Sequence, residues 1–309
     1  MKKWPIPVLL VSFLIVSTLA GCGGGNKGGP GGGTTYNPGQ SRSYLVGGVL
    51  FNMCYVPSAA GFPTGTDDQG APGSVGNAYW MAETEVTYQL WTEVYAWATD
   101  DARGANQYVF ANPGVGDTRR PIASVSWWDA IVWCNALTEF YNALIEFYDP
   151  PEGTTLACVY TDGANIIRRT DAADVAVNAG AKGFRLPTNL EWELAARYKD
   201  GSSWTPGNYA SGATAACTDA FATQEVAVYN VGFASPVGQK DANALNLRDM
   251  SGNLYEWCFD WRPGYEGSRR AGRGGGWHSG ADELQVGEVN GSIPTVVAPW
   301  IGFRPVRTE

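Results

Sequence analysis

The sequence predicts an α+β fold, with few helices among many short strands and long irregular loops. Two stretches show apolar residues at helical spacing, whereas the rest of the chain carries short aromatic or β-branched runs that glycines interrupt. The chain shows no internal repeat, Walker loop, dinucleotide fingerprint or GxSxG elbow. These patterns favour one irregular mixed domain.

The clearest helix is predicted over residues 127–147, where Ser126 can cap the start and Asp129 suits the first turn. Its apolar stripe contains Trp127, Ile131, Cys134, Leu137, Tyr141 and Leu144. Cys134 on that stripe is interpreted as a small buried hydrophobe rather than a reactive thiol. A second helix is predicted after Thr188, which has capping-box spacing to Glu191.

Strands are predicted elsewhere. Residues 44–57 are expected to be a strand with glycine interruptions, and residues 79–98 a strand that enters a helix. Residues 201–246 are rich in loop-forming residues. Short aromatic strands with glycines are then expected at 253–257, 272–277 and 300–304.

The N-terminus predicts export. Lys2 and Lys3 precede an apolar run that is too short to span a bilayer comfortably and ends in Leu19-Ala20-Gly21-Cys22. This ending resembles the bacterial lipobox, which implies a signal peptide over residues 1–21 and a lipid on Cys22; the alternative is an ordinary cleaved signal with an incidental cysteine. Acylation would hold the chain at a membrane without a protein span.

After the signal peptide, residues 22–43 are Gly-rich and almost devoid of apolar side chains, so they are expected to form a flexible linker. Residues 44–309 then leave roughly 265 residues, enough for a single domain.

Charge and residue counts exclude some functions. The full chain has a formal net charge of −9, which becomes −11 once Lys2 and Lys3 are removed with the signal peptide. Such an acidic chain repels phosphate backbones, so nucleic-acid binding is not expected. The single histidine, His278, excludes a zinc site built from several histidines. Five cysteines remain after Cys22 without a CxxC pair, which is compatible with one or two disulfides of unreadable connectivity.

Several ordered segments together resemble the formylglycine-generating-enzyme (sulfatase-modifying factor) family over roughly residues 46–306. The resemblance implies the C-type-lectin-like fold of that family. The segments that carry it are residues 85–87, 121–135, 184–193, 249–257, 273–277 and 302–304.

The resemblance also tests for the family's oxidase activity. Its catalytic members carry two cysteines shortly after the glycine-rich strand, and the matching positions here hold Ser279 and Leu284. Copper–thiolate chemistry needs soft sulfur ligands, which these side chains do not supply. No catalytic residue is therefore predicted.

The residues between Trp277 and Phe303 suggest a different use of the fold. The glycine-rich start, Gly274-Gly275-Gly276-Trp277, and the end, Ile301-Gly302-Phe303-Arg304, are similar to the borders of the variable region in target proteins of diversity-generating retroelements. This implies a variable region of about residues 277–304 with contacts in 278–300. The candidate ligand-binding residues are His278, Ser279, Gly280, Asp282, Glu283, Gln285, Gly287, Glu288, Ser292, Thr295, Val297, Pro299 and Trp300.

Residue chemistry gives this interpretation independent but modest support. If segment 278–300 lies on the surface, it exposes apolar and aromatic groups together, which is typical of interaction sites. The alternative is a plain surface connection with Trp300 in the core. Trp277 and Phe303 are predicted to be core residues, and His278 a contact residue rather than an acid–base group.

The resemblance further implies a structural calcium site. Its ligands would be the Asp249 and Glu256 side chains with the Gly252 and Leu254 carbonyls, which are the hard oxygens that calcium prefers. The alternative is that Glu256 is a hydrogen-bonded buried acid. No cofactor is required.

The sequence thus predicts a monomeric lipoprotein, anchored through its lipid to the outer membrane and displayed at the cell surface, that binds a protein or another macromolecular ligand. Two alternatives remain at this point. One is an oxidase of the formylglycine-generating type, against which the missing cysteines argue; the other is an envelope lipoprotein with a constant structural role.

Overall fold

The computed structural model describes residues 35–144, 155–172 and 174–309. Tyr36–Glu309 forms one compact unit. The predicted signal peptide, Cys22 and residues 22–34 of the predicted linker lie outside the described residues. No helix within the described ranges is both long and apolar enough to cross a bilayer.

The architecture of the described residues is α+β, as predicted, with two four-stranded sheets and two smaller ones among long loops. The helices are α1 (Tyr88–Ala98), α2 (Trp127–Leu144), α3 (Asn189–Arg197) and α4 (Ala220–Val226). The strands are β1 (Ser41–Val46), β2 (Val49–Val56), β3 (Ala59–Phe62), β4 (Gly73–Val75), β5 (Tyr79–Ala82), β6 (Tyr160–Asp162), β7 (Asn165–Ile166), β8 (Ala176–Val177), β9 (Tyr255–Trp261), β10 (Arg270–Arg273), β11 (Asn290–Ser292), β12 (Ile301–Gly302) and β13 (Val306–Thr308).

The first sheet has the antiparallel order β1-β2-β5-β13, which joins the two ends of the described chain. The predicted strand at 44–57 is in fact the β1–β2 hairpin. Gly47 and Gly48 make its turn with positive φ values of 58° and 83°, a conformation that glycine adopts at little cost.

The predicted end of the linker at residue 43 is wrong, because the residues just before it belong to the folded domain. The Tyr36 ring centroid lies 4.9 Å from that of Trp80, and β1 begins at Ser41, which pairs with Cys54 of β2. Main-chain hydrogen bonds to β2 can recruit Ser41 to Ser43 without apolar side chains, so composition alone misplaces the boundary. The domain therefore starts at Tyr36.

Helix α2 lies in the centre of the core and is buried on nearly all sides, including the predicted stripe from Trp127 to Tyr141. The Trp91 ring of α1 stacks on the Trp133 ring of α2, with centroids 5.9 Å apart and an interplanar angle of 4°. Phe303 packs edge-on against both rings and is fully buried, which confirms its predicted core position. Residues 145–147 of the predicted helix lie outside the described residues.

Helices α3 and α4 test the capping predictions. Thr188 and Glu191 form the predicted capping box at the start of α3. Helix α4 falls inside the stretch predicted as loop, where the Asp219 side chain accepts hydrogen bonds from the backbone N–H groups of Phe221 and Ala222. Seven residues are too few to show a helical period, so only this cap signals the helix.

The second sheet, of order β11-β10-β9-β12, carries the candidate site. Strand β10 ends at Arg273, because Gly274 and Gly275 have φ values of 89° and 73° that leave the extended conformation. The strand predicted over 272–277 is thus wrong in its second half, and of the strand predicted over 300–304 only Ile301–Gly302 forms.

Candidate binding face

Segment 278–300 is attached to the second sheet at both ends. It leaves β10 through the glycine turn, returns to it as β11 in antiparallel register (Arg270↔Ser292), and continues into β12, which pairs in parallel with β9. A short 3-10 helix, Ala281–Leu284, lies in between. The segment is therefore an ordered loop on a sheet.

Main-chain hydrogen bonds also fix the interior of the segment. The Gly287 N–H donates to the Gly207 carbonyl at 3.0 Å, and the N–H groups of Ser124 and Trp127 donate to the carbonyls of Ala298 and Pro294, each at 3.1 Å. Inward-facing Leu284 and Val286 are fully buried. The backbone path is thus held by groups that do not depend on the outward side chains.

Most predicted contact residues are at least partly accessible. Those exposed are His278, Gly280, Asp282, Thr295, Val297, Pro299 and Trp300, and those half-buried are Glu283, Gln285, Glu288 and Ser292. Trp300 is 41% and Val297 42% exposed, which excludes the alternative of Trp300 tucked into the core.

The prediction of a ligand contact is wrong for two residues, Ser279 and Gly287, because both are buried. The Ser279 hydroxyl accepts a hydrogen bond from the Gly276 N–H at 3.0 Å, so it closes the glycine turn from inside. Gly287 lies against the chain at Gly65, where an added Cβ would come within 2.3 Å of the Gly65 carbonyl. Neither residue presents a side chain to a ligand.

An aromatic cluster surrounds the one histidine. The His278 ring centroid lies 5.1 Å from that of Trp277, 4.9 Å from that of Trp300 and 6.4 Å from that of Tyr255. The Trp277 indole N–H donates to the Pro299 carbonyl at 3.1 Å and ties the two ends of the segment together. Trp277 is only half-buried, so its predicted core position is wrong. We call Trp277, His278, Val297, Pro299 and Trp300 the aromatic face.

A loop from elsewhere in the chain lies beside this face. The N–H groups of Asn230 and Val231 donate to the carbonyls of Ser279 and Trp277, at 3.2 and 2.8 Å. Val231 is 46% and Phe233 64% exposed. Sequence reasoning missed these residues and the 51% exposed Ile293, because isolated apolar residues in a loop carry no signal of where the fold places them.

The charge of the segment is one-sided. It carries Asp282, Glu283 and Glu288 and neither lysine nor arginine. Burial raises the pKa of Glu288, although the positive charges of Arg262 and Arg273 act in the opposite direction. Burial also raises the pKa of Tyr255, which lies beneath the cluster, to about 12. The segment therefore presents aromatic groups beside an acidic flank.

Both side chains among the predicted calcium ligands, Glu256 and Asp249, are already bonded within the protein. The Arg304 guanidinium donates to both Glu256 carboxylate oxygens, at 2.6 to 2.9 Å, and the Trp192 indole donates to the second of them at 2.9 Å. Asp249 accepts from the Gly238 N–H at 2.6 Å. Arg304 thus supplies the positive charge that calcium would bring, which agrees with the buried-acid alternative. Within the described ranges, no group of three acidic, His or Cys residues could hold a metal ion.

The positions that match the family's catalytic cysteines are built into the interior. Ser279 is 1% exposed, and Leu284 is fully buried in a small apolar cluster with Cys217. The five cysteines in the described residues are all free and buried, so none of the disulfides considered from the sequence forms among them.

A comparison with known families settles the relationship. The family model described as a sulfatase-modifying factor enzyme 1-like domain matches residues 57–309. This chain belongs to that family. Its fold is the C-type-lectin-like fold of the formylglycine-generating-enzyme variety, as the sequence resemblance implied.

Three proteins similar to this chain have different names. Treponema denticola variable protein 1 is 28% identical with a TM-score of 0.65, over 87% of this chain and 99% of its own. The solved structure of CarF is 25% identical with a TM-score of 0.62, over 84% and 98%. The "Chaperone protein LppX" of Paenibacillus barcinonensis is 29% identical over 75% of this chain and 80% of its own length.

Proposed function

We propose that this chain is a non-catalytic lipoprotein, held at the outer membrane by a lipid on Cys22, that binds a macromolecular ligand at the cell surface through the aromatic face. The observation that carries the proposal is the exposed His278–Trp300 pair on a loop whose backbone is fixed at both ends. Rigid aromatic groups lose little conformational entropy on binding, which suits them to interaction hot spots.

The similarity to Treponema denticola variable protein 1 supports a variable use of this segment. The exposed positions project from a backbone that is bonded mainly through main-chain atoms. A change of side chain there alters what a ligand meets and leaves the attachment in place. We therefore propose that a retroelement diversifies the exposed residues of 278–300.

The oxidase alternative has no thiol at the required positions, since Ser279 and Leu284 stand there. We expect no turnover of a cysteine-containing sulfatase peptide when copper is supplied. Measurable formylglycine in that peptide by mass spectrometry would overturn the non-catalytic assignment.

The binding proposal can be tested with a face variant. The purified chain is screened against a panel of purified extracellular proteins and glycans, and each ligand found is then measured with the triple variant His278→Ser, Val297→Ser, Trp300→Ser. Loss of a hot-spot contact of about 2 kcal/mol weakens Kd roughly 30-fold. The control is Leu50→Ser, an equally apolar side chain that is 64% exposed on β2.

Two results would contradict the proposal. One is that the triple variant binds every ligand found as tightly as the wild type. The other comes from the neighbouring DNA: sister copies identical across the 278–300 codons, with no adenine-marked near-copy beside a reverse-transcriptase gene, would favour a constant structural role.

A further inference from the structure

A cleft that shares no residue with the aromatic face has no role in the proposed function. It has a volume of about 330 Å³ and lies between the β6–β8 region, the approach to α3 and the end of β9. None of its lining residues belongs to segment 278–300. This volume is within the range of small-molecule sites.

The walls of the cleft are mostly apolar. Val159, Val177 and Leu186 line it together with the aromatic rings of Tyr160 and Phe259. The two ring centroids lie 5.4 Å apart with an interplanar angle of 17°, and Tyr160 is buried beneath, so the half-buried Phe259 supplies the accessible aromatic surface. A flat apolar group can pack against such a surface.

The cleft continues into a second cavity of about 360 Å³ with a polar end at Ser74, Gly76 and Asn77. The two cavities share five lining residues, so they meet over one polar group. The shared residues are Arg185, Thr188, Glu191, Asp260 and Thr308.

Two members of this polar group are fully committed to each other. Arg185 donates to both Glu191 oxygens, each at 2.7 Å, and also to the Thr308 hydroxyl at 3.1 Å. Glu191 additionally accepts from the Thr188 N–H at 2.8 Å. Their charges cancel, and both side chains are already hydrogen-bonded within the protein.

Asp260 differs. One of its oxygens accepts from the Asn189 N–H at 2.5 Å, and no side chain in the described ranges donates to either oxygen. The neighbouring guanidinium of Arg270 is held elsewhere, between the Trp127 and Trp261 rings and on the Phe259 carbonyl. Burial raises the pKa of Asp260, and the Glu191 charge adds to this, while Arg270 and Arg185 oppose it. A desolvated carboxylate with one bond is stabilised by a further donor.

We propose that this cleft binds a small primary amine with a flat apolar body. The ammonium group donates to the free oxygen of Asp260, and the apolar body packs against the Phe259 ring and Val177, which are both accessible in the cleft. The charge of the lining selects the class, since Arg185 and Glu191 cancel and leave one carboxylate.

Benzylamine is the test probe, titrated into the full chain and followed by isothermal calorimetry and by protein NMR. We expect a Kd on the order of 1 mM, reasonable for a ligand of this size, and no binding of benzyl alcohol or benzoate at the same concentrations. Asp260→Asn keeps an acceptor for the Asn189 N–H but removes the charge, and should weaken binding at least tenfold. Asp241→Asn removes an exposed carboxylate outside the cleft and should not.

A second variant separates binding from folding. Ala179→Trp places a bulky ring at an exposed lining position without touching Asp260, and should block benzylamine while Tm stays at the wild-type value. The proposal is overturned if benzylamine does not bind the wild type, if benzoate binds equally well, or if Asp260→Asn or Ala179→Trp binds it with unchanged affinity.

Discussion

The buried cysteines show how position decides the chemistry of a residue. Burial raises the pKa of Cys54, Cys158 and Cys217 to about 12, and burial also raises the pKa of Cys134 and Cys258 well above the ordinary value. The thiolate is the reactive form, so at neutral pH these groups behave as small hydrophobes. The sequence interpretation of Cys134 had the same physical basis.

We therefore expect the five thiols to resist iodoacetamide in the folded protein at pH 8 and to react fully in guanidinium chloride. The measurement is mass spectrometry of a Cys22→Ser chain, which leaves only these five cysteines. Rapid labelling of any one in the native state would show that its surroundings open.

The Glu256–Arg304 pair is the second residue-scale feature that matters. Both side chains are almost completely inaccessible, and the guanidinium also donates to the carbonyls of Ala82, Glu83 and Arg248. It thus links the first and second sheets to the loop that precedes β9.

Removing one partner of this pair should leave a buried charge without compensation. We expect Arg304→Met to destabilise the fold by about 3–5 kcal/mol, measured by denaturant unfolding.

Calcium or a chelator should leave the wild-type Tm unchanged, because Arg304 already neutralises Glu256. A calcium-dependent rise in the wild-type Tm would support the calcium site that the resemblance implies.

At the scale of elements, helix α3 depends on its first turn. Glu191 closes the capping box and also pairs with Arg185. Burial raises the pKa of Glu191, but the hydrogen bonds and charge of Arg185 outweigh this, so that the pKa lies below its usual 4.5. A carboxyl group with a depressed pKa contributes stability above its unfolded pKa and loses it as the pH falls through the folded value.

Glu191→Gln should consequently cost about 3 kcal/mol at pH 7, because Arg185 loses a buried partner. The difference between variant and wild type should shrink as the pH drops below 4.5. Urea unfolding at pH 7, 5 and 3 measures this. A difference that stays constant over that range would mean that the carboxylate charge contributes nothing.

The elements that the sequence predicted well are those with local causes. The capping box of α3 and the apolar period of α2 can be seen within a few residues, and the structure contains both. The end of β10 was misplaced because two glycines with positive φ read in the sequence as part of a strand. Pairing with β2 likewise recruits polar Ser41, which composition had assigned to the linker.

The sequence predicts where the candidate site lies, but not which of its side chains are exposed. A resemblance located segment 278–300, but which of its side chains point outward depends on contacts with distant parts of the chain. Ser279 closes a turn and Gly287 touches Gly65, so both are buried. Asn230 and Val231 bond to the face from a loop about fifty residues earlier, which no local pattern reveals.

At the scale of the whole molecule, the fold and the aromatic face are supported by different atoms. The core consists of clusters that include Leu284, Val286 and Ala298 from the inner side of the segment. The outward positions contribute exposed side chains, which generally matter little to stability.

This separation predicts a contrast between neighbouring residues. Single substitutions of His278 or Val297 by serine should change the free energy of unfolding by no more than about 0.5 kcal/mol, whereas Leu284→Ala should cost about 2–5 kcal/mol. Chemical denaturation of the three variants measures this. Equal losses at all three positions would mean that the face helps to hold the fold.

The main-chain hydrogen bonds that fix segment 278–300 have a consequence for inheritance. The N–H groups of Ser124 and Trp127 and the carbonyls of Ala298 and Pro294 are backbone atoms, so they survive a change of side chain at the outward positions. A lineage can therefore accumulate replacements at those codons without losing the folded protein from its cells. Selection for what the outward residues contact can act almost independently of selection for folding.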